Sequence, residues 1–72
     1  MTTAEAIEYV LKNDPNCTKY ALAKELGCHR SLVYHWHKGS AKMSERHYRK
    51  FKNIYPTVEI TDVIREKRLG LK

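Results

Sequence analysis

With 72 residues the chain makes one domain, and a domain of this size buries only about 60% of the surface its unfolded form exposes, too little to enclose a catalytic cavity. Hydrophobic residues at 42% and charged residues at 31% suit a soluble globular fold and exclude a disordered chain or a membrane span. The formal net charge of +6 is concentrated, because residues 18–56 hold nine Lys or Arg against Glu25 and Glu45 while residues 1–17 are net acidic. Clustered positive charge is the footprint of a polyanion partner, although a basic surface also simply keeps a small protein soluble.

In chain order, Thr2 followed by Glu5 fits a capping box, in which each side chain satisfies the other's backbone N–H, and Ile7, Val10 and Leu11 then share one helical face. This predicts a helix over about Thr3 to Lys12. Asn13-Asp14-Pro15-Asn16 ends it, because proline fixes φ and Asn and Asp side chains bond their own backbone in turns. Thr18 caps a second helix of about nine residues, whose apolar positions Ala21, Leu22, Ala23 and Leu26 lead to Gly27. A third helix, about His29 to His37, brings Leu32, Val33 and Trp36 together and stops at Gly39-Ser40. Ser44 is the expected cap of a fourth, with Met43, Tyr48, Phe51, Ile54 and Tyr55 as its apolar stripe, Pro56 beyond its end, and a path across the first helix. Thr57-Val58-Glu59-Ile60 alternates like a strand, whereas Thr61-Asp62-Val63-Ile64 followed by Arg65-Glu66-Lys67-Arg68 reads as a capped helix, and a short final helix is favoured. The expected fold class is all-α, a small bundle of four to five helices, with residues 1–72 as a single domain.

Spacing within Lys19 to Trp36 carries the functional signal. Two helices crossing at about 90 to 120° through a tight turn need a small residue where their backbones approach and a left-handed conformation in the turn. Ala23 and Gly27 supply these, and Leu22, Leu26, Val33 and Trp36 fill the angle between the helices. This segment, Thr18-Lys19-Tyr20-Ala21-Leu22-Ala23-Lys24-Glu25-Leu26-Gly27 with Val33-Tyr34-His35-Trp36, resembles the Cro/repressor family of bacteriophage and bacterial helix-turn-helix regulators. The likeness is close over residues 18–39 and loose elsewhere. It implies a lambda-repressor-like bundle with its helix-turn-helix core at residues 18–37, binding of double-stranded operator DNA as a symmetric dimer, and transcriptional control, often repression. Two departures stand out. The third helix holds His29, Arg30, Tyr34 and His35 where better-known members carry Gln, Ser or Ala, so the operator does not transfer; and the chain after Pro56 matches no dimerisation element of the family.

With Leu32, Val33 and Trp36 turned inward, His29, Arg30, Ser31, Tyr34 and His35 occupy the outward side of the third helix and are the expected base-reading residues. Arg30 leads, because its planar fork bonds bidentately to guanine O6 and N7, worth about 1 to 3 kcal/mol of discrimination. Ser31 and His35 reach other base edges, and Tyr34 suits a thymine methyl or a phosphate. Lys19 stands at the start of the second helix, where family members commonly touch the DNA backbone; Lys38, Ser40 and Lys42, just after the third helix, are further expected phosphate contacts. The plain alternative for each is a solvated surface side chain.

Cys17, Cys28, His29, His35 and His37 are ligand types that zinc selects, but no Cys-x2-Cys or His-x3-His pair is present and His35 and His37 point to different helix faces. No metal or cofactor is expected, and the two cysteines read as reduced thiols. No Ser/His/Asp set, carboxylate pair or glycine-rich phosphate loop supports an enzyme. The N-terminus lacks the basic and apolar parts of a signal peptide, which points to the cytoplasm, at the nucleoid of a bacterial host, with no membrane or small-molecule partner. Val58, Ile60, Val63 and Ile64 find too few core partners in a four-helix bundle, so the segment from Tyr55 to Ile64 is the expected contact of a homodimer. The rival from another class is a protein-interaction module, such as a phage-encoded inhibitor or anti-repressor, gripping an acidic protein with the same bundle.

Overall fold

Four α-helices form in the computed structural model, which describes residues 1–65: α1 (Thr3–Asn13), α2 (Lys19–Leu26), α3 (Arg30–Lys38) and α4 (Glu45–Ile54), with no strand among the described residues. Local chemistry sets most of their ends. The capping box of α1 is complete, with Thr2 Oγ1 accepting from Glu5 N at 3.2 Å and Glu5 Oε1 accepting from Thr2 N at 2.9 Å. Thr18 Oγ1 accepts from Ala21 N at 3.0 Å to start α2. Gly27, at φ +72°, ends α2 in the left-handed region that a Cβ makes costly, and this lets Cys28 N bond back to Ala23 O at 2.9 Å.

The core lies where α3 packs against both α1 and α2. Ala6, Ile7 and Val10 of α1, Leu22, Ala23 and Leu26 of α2, and Val33 and Trp36 of α3 are all buried. Ala23, the small residue that the spacing sets between α2 and α3, is among the buried residues. The fourth helix packs on α2 rather than across α1, because the inward face of α1 is already taken up by α3; Phe51 carries that contact into the core with no exposed surface. Beside it, the Tyr55 hydroxyl donates to Asp14 Oδ2 at 3.1 Å, and burial together with Cys17 and Asp14 pushes the phenol well above its usual range.

The chain after α4 departs from expectation. Residues 61–64 are not helical. Ile64 instead forms a parallel bridge with Ser44, donating its N–H to Met43 O at 2.8 Å and accepting from Glu45 N at 2.9 Å. The first N–H of α4 is thus satisfied by main chain, and the Ser44 hydroxyl, expected as its cap, bonds His47 Nδ1 at 2.8 Å. Val58 and Ile60 turn inward with the alternation seen in the sequence and are buried in the chain's own core. The expectation that these two lack core partners therefore fails, and of the expected dimer segment only Ile64, half exposed, stays open among its aliphatic residues. The rest of the expected final helix, residues 66–68, lies outside the described residues.

A polar hub centred on the buried Thr3 draws the two ends of the described chain together. Thr3, 1% exposed, accepts from Met43 N at 3.1 Å through its hydroxyl oxygen and donates its hydroxyl proton to Asp62 Oδ1 at 2.7 Å; its backbone N–H reaches the same carboxylate oxygen at 2.8 Å. Burial disfavours the Asp62 charge, but the two bonds from Thr3 and the nearby Lys42 outweigh it and hold the carboxyl below its usual range. Asp62 is thereby engaged by Thr3, so it does not cap a helix of its own. No helix among the described residues is long and apolar enough to cross a membrane.

Candidate nucleic-acid interface

Packing of Val33 and Trp36 fixes the rotation of α3, and the i, i+3, i+4 rule then decides what faces out. His29, Arg30, Ser31, Tyr34, His35 and Lys38 are all exposed, with Leu32 half-buried at the boundary. The five residues expected to read bases therefore share one surface. His29 is also the N-cap of α3, its Nδ1 accepting from Ser31 N at 3.1 Å and standing 2.9 Å from Ser31 Oγ. An imidazole here does what Ser, Asp or Asn usually does.

Tyr34, expected as a base reader, stands beside two of the lysines expected to contact phosphate. Its half-exposed ring lies 5.1 Å from Lys19 Nζ and 5.7 Å from Lys38 Nζ, both within cation–π range, so two helices bring their lysines to one aromatic platform. The His35 ring stands edge-on to it at 5.8 Å. His35 is held in turn by Ser40, whose Oγ lies 2.9 Å from His35 Nδ1 and donates to the His35 carbonyl at 3.4 Å. Gly39, at φ +92°, is what folds Ser40 back over the last turn of α3. Lys42 is exposed, but its charge falls on Asp62, so it is shared with the tail rather than joined to the Lys19, Tyr34 and Lys38 group. His37 turns away to α1, where Nε2 pairs with Glu8 Oε1 and that bond holds the Glu8 carboxyl below its usual range.

Three polar residues not singled out in the sequence border the same surface. A cleft of about 450 Å³ beside Arg30 is lined by Tyr20, Lys24, Cys28 and His29. Lys50 of α4 reaches its edge, its Nζ lying 3.2 Å from where a Cβ on Gly27 would stand. Burial pushes the Cys28 thiol up, and the Lys50 charge partly opposes this. Only the packing of α4 on α2 places Lys50 there, and no local pattern carries that information. Arg30 thus lines one hollow with Lys24 and another with Lys19 and Tyr34.

Among the described residues no three His, Cys, Asp or Glu side chains gather as a metal ion would require, and Cys17 and Cys28 are free thiols. Comparison of the chain with protein-family models, with curated proteins and with solved structures finds no match.

Proposed function

We propose that the chain is a sequence-specific, double-stranded DNA-binding transcriptional regulator, a repressor of the Cro-like kind, in which α2, the turn Gly27-Cys28-His29 and α3 act as a helix-turn-helix. The observation that carries this reading is the outer face of α3, where Arg30, Ser31 and His35 stand exposed beside the Lys19–Tyr34–Lys38 group and none is used to hold the core. An α-helix fits the major groove, about 12 Å wide. Arg30, Ser31, His29 and His35 then meet base edges and set sequence, while Lys19, Tyr34, Lys38, Ser40 and Lys42, joined by Lys24 and Lys50, meet phosphates and set affinity.

Two copies would place their α3 helices in successive major grooves about 34 to 36 Å apart on a near-palindromic operator. With Val58 and Ile60 taken up by the core, Ile64 is the part of the tail left to the contact between copies. Selection from a random duplex pool at about 150 mM salt, with wild type and Arg30→Ala in parallel, tests the whole reading. The expected result is a two-fold symmetric motif that Arg30→Ala blurs at one base per half-site. No enriched sequence overturns it in favour of the protein-interaction module, and a single copy bound per selected site overturns the dimer.

A further inference from the structure

We propose that the hollow between the starts of α2 and α3 reads methylation, taking the C5-methyl group of thymine or 5-methylcytosine in the base pair next to the guanine that Arg30 reads. This rests on the DNA-binding reading above and states what the same face selects beside that guanine.

The hollow measures about 310 Å³ and is lined by Lys19, His29, Arg30, Ser31 and Tyr34. Its wall is almost wholly carbon, although each of the five side chains carries nitrogen or oxygen. Local pairing accounts for this. Ser31 Oγ lies 2.9 Å from His29 Nδ1, which also accepts from Ser31 N at 3.1 Å, so these polar atoms face one another at the cap of α3. Lys19 is half-buried with its ammonium 5.1 Å from the centre of the Tyr34 ring, and a lysine held in that way covers apolar surface with its methylene stem. Two of the five residues, Lys19 and Arg30, are cationic. A carbon hollow flanked by positive charge suits an apolar group carried by a polyanion better than a free apolar molecule.

In the major groove the apolar group on a base edge is the C5-methyl of thymine, which cytosine lacks. Methylation at C5 makes the two pyrimidines alike at that point. A carbon wall has no group to tell the thymine O4 from the cytosine amine, so it reads the methyl and not the base. Arg30 lines the hollow while its fork bonds the guanine, which puts the methyl in the adjacent base pair. Lys19 and Tyr34 thus serve twice, with charge toward phosphate and carbon toward the methyl.

The test uses the full chain and the duplex that selection yields. The guanine is the position that Arg30→Ala blurs, and thymine is expected in a base pair next to it. Uracil in place of that thymine removes the methyl alone and should weaken binding about fourfold, the effect of one buried methyl-sized group. Cytosine placed there should gain about fourfold when methylated at C5. Each ratio is taken within one protein variant, so any loss of folded protein cancels. Tyr34→Ala, which opens the hollow, should bring both ratios close to one, and Tyr34→Phe, which keeps the ring, should leave both as in wild type. A motif without thymine beside the guanine, uracil bound as tightly as thymine, or cytosine indifferent to methylation overturns the inference. So do ratios that Tyr34→Ala leaves unchanged, because the methyl is then felt through the stiffness of the duplex. A wild-type chain that enriches no duplex fails earlier, at selection, and takes the DNA-binding reading with it.

Discussion

Two polar networks in this bundle are built from similar groups and face opposite surroundings. Around the buried Thr3 its hydroxyl and backbone N–H meet the half-buried carboxylate of Asp62, and Met43 N completes the set. On α3, His29 with Ser31 and His35 with Ser40 make bonds of similar length on an exposed surface. A group that loses its partner in the interior bears the full cost of desolvation, whereas water replaces the partner at the surface. The first network holds the tail to α1; the second, apart from the cap that His29 gives α3, adds little stability.

The largest expected effect is therefore at Asp62. Asp62→Ala leaves two Thr3 donors without an acceptor and costs about 2 to 3 kcal/mol in urea unfolding, with the sequence preference of the folded protein unchanged. The same carboxylate gives the contrast a pH signature. Its folded value lies below the ordinary one, so its stabilisation is present in full above the unfolded value of about 4 and is lost as pH falls through the lowered folded value. Asp62→Asn should flatten that part of the acid limb, below about pH 4; an acid limb as steep as that of wild type would remove Asp62 from this role.

Arg30→Ala comes next, with about 2 kcal/mol of base discrimination lost at one position per half-site and stability within about 0.5 kcal/mol of wild type. His29→Ala should cost about 1 kcal/mol by removing the α3 cap, and His29→Ser should restore most of it in thermal unfolding. The smallest change is expected at Lys50. Lys50→Ala should keep the selected motif and flatten the dependence of log affinity on log salt by about 0.9; an unchanged slope would remove α4 from the interface.

What could be read from the sequence divides along the same line. Helix ends at Thr2, Thr18, Gly27 and Gly39 were legible because each depends on atoms within four residues, and they moved by about one position. The exposure of His29, Arg30, Ser31, Tyr34 and His35 followed from the periodicity that buries Val33 and Trp36. The path of α4 and the course of residues 57–64 were not legible, since they depend on which apolar face was still vacant and on Asp62 finding Thr3. The convergence of Lys19 and Lys38 on Tyr34 and the reach of Lys50 to Gly27 were hidden for the same reason, because both are products of helix packing. Trp36, whose buried Nε1 has no hydrogen-bond partner, stands edge-on to His47 at 5.4 Å, another contact that only packing creates.

The Thr3 hub also has a place in time. Its carboxylate partner lies 59 residues further along the chain, and at roughly 5 to 20 residues per second of synthesis the two are made about 3 to 12 s apart. Throughout that interval the two Thr3 donors have no carboxylate to meet. The contact thus closes backward, from residue 62 onto residue 3, and until residue 62 is made the carboxylate that ties the tail to α1 does not exist.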